Sequence, residues 1–137
     1  MILVDSGYLI ALAEPRDSLH AVAMRWSRTV NEPLLLTDYI LIEVINHLSR
    51  TPQQRAKSHL VLDEIRLDLQ YVLVPASQDL LQQGLLLHRR RPDKAWSLTD
   101  CISFTLMRDR GVTQALAHDI HFTQAGFEAL MRENPTG

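Results

Sequence analysis

Three short, unbroken apolar runs, Met1 to Val4, Leu34 to Leu36 and Tyr71 to Val74, constrain this chain more than any other feature. Each is too short for a helix of ordinary length. None alternates apolar with polar residues, so each reads as a strand buried on both faces. Val112 to Leu116 reads as a fourth strand, and stretches with helical periodicity lie between the runs. Strands that alternate with helices predict an α/β fold around a central parallel sheet. The runs lead into Asp5, into Thr37 and Asp38, and nearly into His118 and Asp119, which puts acids at the carboxyl ends of the strands. That edge is where open α/β sheets bind ligands.

Helix punctuation fills in the rest. Ser6 to Ala13 reads as a helix that stops before Glu14-Pro15, because proline disfavours helical geometry in the residue before it. Asp17 or Ser18 is placed to cap a helix running to about Asn31, and Thr37 or Asp38 to cap one carrying Ile40, Leu41, Val44, Ile45 and Leu48. Pro52 interrupts that pattern and a further helix runs to about Asp68. Ser77 or Asp79 opens a Leu-rich helix to about His88, Thr99 to Arg110 is followed by Gly111 as a C-terminal stop, and Phe122 to Arg132 reads as a final helix.

A length of 137 residues with 46% hydrophobic and 22% charged side chains fits one soluble domain over residues 1–137. The last ~5 residues are expected to be a disordered tail. The net charge of -2 excludes a broad basic clamp for a polyanion, so any nucleic-acid binding must come from a local patch or a metal. Cys101 is the only cysteine, which removes disulfide frameworks and cysteine zinc sites and points to a reducing cytoplasm. No apolar run approaches the ~20 residues of a membrane span.

Asp5, Glu43, Asp100 and Asp119 sit where packing gives little reason for a carboxylate. Acids brought together repel and desolvate one another, a cost that divalent cations remove. Mg2+ or Mn2+ prefer such oxygen ligands, and two ions can activate water and stabilise the leaving oxygen in phosphodiester cleavage. Each acid also has an ordinary reading: Asp5 as a helix cap, Asp100 as a partner of its helix dipole, Asp119 as an Asx turn, and Glu43 as one of a polar stripe with Asn46, His47 and Arg50. The pair His118 and His121 lacks further ligands at zinc spacing and reads as structural or surface-exposed, and Cys101 as a small buried apolar group. Two positive segments are candidates for nucleic-acid contact. Arg89, Arg90, Arg91 and Lys94 lie near Trp96 as a surface for base stacking, and Arg50, Arg55 and Lys57 form a weaker set.

The order of these motifs resembles a known family. Met1-Ile-Leu-Val-Asp-Ser-Gly7, Thr37-Asp-Tyr-Ile-Leu-Ile-Glu43 running on to Leu48, Ser97-Leu-Thr-Asp100, and Asp119-Ile-His-Phe122 with Ala125-Gly126 are similar to the PIN-domain ribonucleases, and most to the VapC-type toxins of prokaryotic toxin-antitoxin modules. The resemblance covers about residues 1 to 127. It implies a three-layer α/β/α domain with a mostly parallel sheet of four or five strands, whose acidic cluster binds one or two Mg2+ or Mn2+ ions and hydrolyses RNA. Asp5 and Asp100 would be the central metal ligands, Glu43 would hold a metal or its water, and Asp119 would complete the site. Ser6 and Thr37 would orient those ligands. Ala117 departs from the pattern, since many members carry Ser, Thr or Asn there. The resemblance further implies a protein antitoxin that covers the site, a homodimer and a cytoplasmic location. Two alternatives stay open: a non-catalytic PIN-like module that binds RNA or protein, and a nuclease of RNA processing that is not a toxin.

Overall fold

The computed structural model describes residues 1–136; Gly137, in the expected tail, lies outside the described residues. The elements in order are β1 (Ile2–Val4), α1 (Ser6–Ala13), α2 (His20–Thr29), β2 (Leu34–Thr37), α3 (Asp38–His47), α4 (Pro52–Leu67), β3 (Tyr71–Val74), α5 (Gln78–Arg90), α6 (Leu98–Arg110), β4 (Gln114–Leu116), α7 (Ile120–Gln124) and β5 (Glu128–Ala129), with a 3-10 turn over Leu130–Arg132. The five strands form one sheet in the order β3-β2-β1-β4-β5, and every pairing is parallel.

Alternation along the strands divides the core in two. Ile2, Val4, Leu34, Leu36 and Leu116 pack with α1, α2, α3 and α4 through Tyr8, Leu9, Ala23, Ile40, Val44 and Ile65. Leu3, Leu35 and Ala115 face the other way, onto α5, α6 and α7 through Leu80, Ile102, Phe104, Met107 and Phe122. Helices thus cover both faces, which is the three-layer α/β/α arrangement and explains why the strands show no polar face.

The caps follow the sequence closely. Thr37, Thr51 and Ser77 accept hydrogen bonds from the backbone N–H groups of Ile40, Gln54 and Leu80, and Gly111 ends α6 in the left-handed region at φ 67°. Asp17 accepts from Leu19 N–H at 2.8 Å in an Asx turn and does not cap α2, which starts at His20. The expected final helix from Phe122 to Arg132 is a correction. α7 ends at Gln124 and Gly126 takes φ 93°, a conformation open mainly to glycine. The chain then pairs Glu128 and Ala129 with Gln114 and Ala115 of β4. A two-residue strand leaves no periodicity to read. No helix among the described residues is long and apolar enough to cross a membrane.

Candidate active site

From β1 the chain moves through β2 to β3 on one side of the sheet, then crosses over to β4 and β5 on the other. The order reverses between β1 and β4, and at such a switch point the connections leave in opposite directions and open a crevice at the carboxyl ends. Asp5 stands at that crevice, its N–H donating to Leu116 O at 3.2 Å. It occupies the N-cap position of α1, yet its side chain makes no capping bond. The Asp5 carboxyl is pushed up to about 7, first by burial, then by the charge of Asp100 and, more weakly, by Glu43 and Asp119; the Ser6 backbone N–H opposes the shift. Four acids from β1, α3, α6 and the β4–α7 connection therefore share one field.

Asp100 is fixed by local structure. Ser97 caps α6 by accepting from Asp100 N–H at 3.0 Å, and Asp100 Oδ2 accepts from Ser97 N–H at 3.0 Å, a reciprocal capping box. The same Oδ2 lies 3.0 Å from His121 Nδ1, which is also 3.3 Å from Asp119 Oδ1. Asp119 caps α7 by accepting from His121 N–H at 3.0 Å. The ordinary readings of Asp100 and Asp119 are thus realised in part, but each cap engages only one carboxylate oxygen. Glu43 is different: among the described residues it has neither a hydrogen bond nor an ion pair, so the polar-stripe partners Asn46 and His47 do not engage it.

A comparison with known sequences decides the family: the PIN domain profile matches residues 2–128. The chain belongs to the PIN-domain family. It is 29% identical over 133 residues to the "23S rRNA-specific endonuclease VapC20" of Mycobacterium tuberculosis, in both strains CDC 1551 / Oshkosh and H37Rv, covering 97% of this chain and 100% of the relative. The crystal structure of the Mycobacterium tuberculosis VapC20, a "Sarcin-Ricin loop cleaving toxin", superposes with a TM-score of 0.86 at 26% identity, over 94% of this chain and 98% of that one. The resemblance drawn from the motifs is therefore borne out across nearly the whole chain.

Within this PIN domain the remaining expected residues fall as follows. Ser6 opens α1 beside Asp5. Thr37 is fully buried and its hydroxyl accepts from Ile40 N–H at 3.3 Å, which makes it the cap of the helix that carries Glu43. Ala117 is buried and its backbone carbonyl accepts from Met131 N–H. Arg89 and Arg90 are exposed at the end of α5. Arg91 is paired with Asp93 through two 3.0 Å bonds, which removes its charge from the free patch. Trp96 offers no stacking face: it is 4% exposed, packs edge-on against Phe104, and has the Arg91 guanidinium over its ring. Sequence reasoning missed two neighbours of the acids. His121 lacks zinc spacing in the sequence, yet its ring lies between two of them. Arg132 was assigned to a helix, whereas it lines the groove with Asp5, Ser6, Gly7 and Asp119 and donates to His118 O at 2.8 Å.

The donor set suits a hard divalent cation, because it is made of carboxylate oxygens with Asp5 raised first by burial and then by its neighbours' charge. Among the described residues no three His, Cys, Asp or Glu side chains close a cage by themselves. Water would have to complete the shell, as it commonly does for Mg2+.

Proposed function

We propose that this PIN-domain chain is a Mg2+- or Mn2+-dependent ribonuclease that hydrolyses RNA phosphodiester bonds as the toxin of a toxin-antitoxin pair. The reading rests on one observation: Asp5, at the switch point of the sheet, is raised to about 7 in part by the charges of Asp100, Glu43 and Asp119. Asp5 and Asp100 would hold the metal, with Glu43 and Asp119 completing the set, and such an ion when bound supplies a Lewis acid for the phosphate and lowers the pKa of water. The chain's own contribution is positional. The Ser97 cap fixes one oxygen of Asp100, and the Thr37 cap fixes the start of the helix that presents Glu43. Arg132, whose charge faces no carboxylate within ion-pair distance among the described residues, supplies a guanidinium for a backbone phosphate at the groove, with Arg89, Arg90 and Lys94 as more distant contacts.

VapC20 carries 23S rRNA specificity in its name, so structured ribosomal RNA is the first substrate to test here. A covering antitoxin, a homodimer and a cytoplasmic location belong to the same proposal and rest on family membership. The competing reading is a non-catalytic PIN module, favoured by the absence of a closed three-residue cage among the described residues. The two separate experimentally. A nuclease site binds Mn2+ and raises the melting temperature, because a ligand of the native state adds stability. The decisive assay incubates the protein with ribosomal, transfer and messenger RNA, with and without Mn2+, and maps the ends.

A further inference from the structure

Asp100 and Asp119 come from different elements, α6 and the loop entering α7, and one side chain touches both. His121 Nδ1 is 3.0 Å from Asp100 Oδ2 and 3.3 Å from Asp119 Oδ1. A nitrogen between two carboxylate oxygens must carry the hydrogen, since a lone pair there would meet two negative charges. Both the neutral Nδ1–H ring and the cation satisfy this, so the role does not depend on the ring's charge.

The pattern of acceptors is one-sided. Asp100 Oδ2 receives Ser97 N–H and His121 Nδ1, and Asp119 Oδ1 receives His121 N–H and faces the same ring nitrogen. Among the described residues no protein donor reaches Asp100 Oδ1 or Asp119 Oδ2. Each carboxylate is therefore anchored through one oxygen and presents the other. Asp119 needs this most: its side chain is 46% exposed, while that of Asp100 is 14% exposed. Without the ring, only the Asx bond to His121 N–H would restrain it.

We propose that His121 is a positioning residue that holds Asp100 and Asp119 in one ligand geometry, its Nδ1 donating to Asp100 Oδ2 and lying 3.3 Å from Asp119 Oδ1. The inference rests on the metal-dependent reading above. Hydrogen bonds to ligating carboxylates typically change metal affinity by roughly 10- to 100-fold. His121 would not touch substrate, so its loss should raise the Mn2+ concentration needed for half-maximal rate and leave kcat at saturating Mn2+ nearly unchanged.

The test measures Mn2+ binding to the full chain by electron paramagnetic resonance of the free ion, for the native protein and for His121→Ala, His121→Asn and His121→Gln. The Asn amide nitrogen reaches about the position of Nδ1, whereas the Gln amide reaches beyond it. The expected result is native binding, affinity lowered roughly 10- to 100-fold in His121→Ala, recovery in His121→Asn and none in His121→Gln. Native affinity in His121→Ala, or equal recovery by Asn and Gln, overturns the role of His121 and leaves the nuclease reading standing. No binding by the native protein overturns the nuclease reading, and this inference with it. If His121→Ala does not fold, the contrast between Asn and Gln still decides.

Discussion

Asp5, at the end of β1, lies within the electrostatic reach of Asp100 in the first turn of α6, and after burial the Asp100 charge is the largest influence raising the Asp5 carboxyl to about 7 from its ordinary 3.8. The sign of the consequence is fixed. Below about 3.8 both the folded and unfolded chains carry the proton. Between about 4 and 7 the unfolded chain ionises Asp5 while the folded one keeps its proton, so this group's contribution to stability declines as pH rises and is lost above 7. The difference in melting temperature between native protein and Asp5→Asn should therefore widen in favour of the variant from pH 4.5 to pH 7.5. A constant difference over that range would contradict the coupling. Added Mn2+ should reverse the trend for the native protein alone, because the ion competes with the proton at Asp5.

Gly84 lets α5 approach α6, the helix whose first turn holds Asp100. A Cβ at position 84 would lie 2.3 Å from Ile102 Cγ1 and 3.2 Å from Ile102 N, and Ile102 is buried. Gly84→Ala gains about 1 kcal/mol of helix propensity. Overpacking costs about 1–3 kcal/mol, and a 2.3 Å approach to a buried Ile102 backed by its own backbone belongs at the upper end of that range, above the gain. Thermal denaturation should show a melting temperature lowered by a few degrees; an unchanged or raised value would mean that the helices separate without strain.

Thr37 separates a capping role from direct service to the metal ligands. Thr37→Ala should cost about 1 kcal/mol through the lost cap, and Thr37→Ser should restore it. With stability matched by temperature, cleavage by the two variants should agree. A persistent defect in Thr37→Ala at matched stability would show that the hydroxyl serves the acids themselves.

The fold was legible because strands buried on both faces cannot hide their composition: β1 and β2 appear at nearly their full length as apolar runs, and β3 does too, although as an edge strand it is only partly buried and leaves Leu73 exposed. Caps were legible where a hydroxyl sits three residues before the N–H it satisfies, as at Thr37 and Ser77; the same arrangement at Thr51 was hidden behind the stronger signal of Pro52. The end of the chain was not, because β5 depends on Gly126 and on pairing with β4, which local periodicity does not encode. The four acids were recognisable as residues out of place, and the order of their motifs named the family. His121 was missed because its role comes from two carboxylates that meet only after folding, and Trp96 was misread because an aromatic beside arginines looks the same in sequence whether it faces solvent or Phe104.

Arg132 and the α5 exit make different claims on RNA. Arg132→Ala should raise KM for RNA with a small change in kcat, and the defect should shrink as salt rises, since a screened phosphate contact has less to lose. Arg89→Ala with Arg90→Ala should have a weaker effect, because these residues do not line the groove with Asp5. Steady-state kinetics at two salt concentrations would check both; a larger defect in the double variant would move the RNA path to the α5 side.

The central claim is that carboxylates gathered by the sheet make a metal-dependent ribonuclease. The most direct measurement incubates native protein, Asp5→Asn, Asp100→Asn and the double variant with intact ribosomal RNA, with and without Mn2+, beside circular dichroism of each. Discrete cleavage is expected from the native protein only with Mn2+, and none from the folded variants. Undiminished cleavage by the folded double variant would contradict the claim.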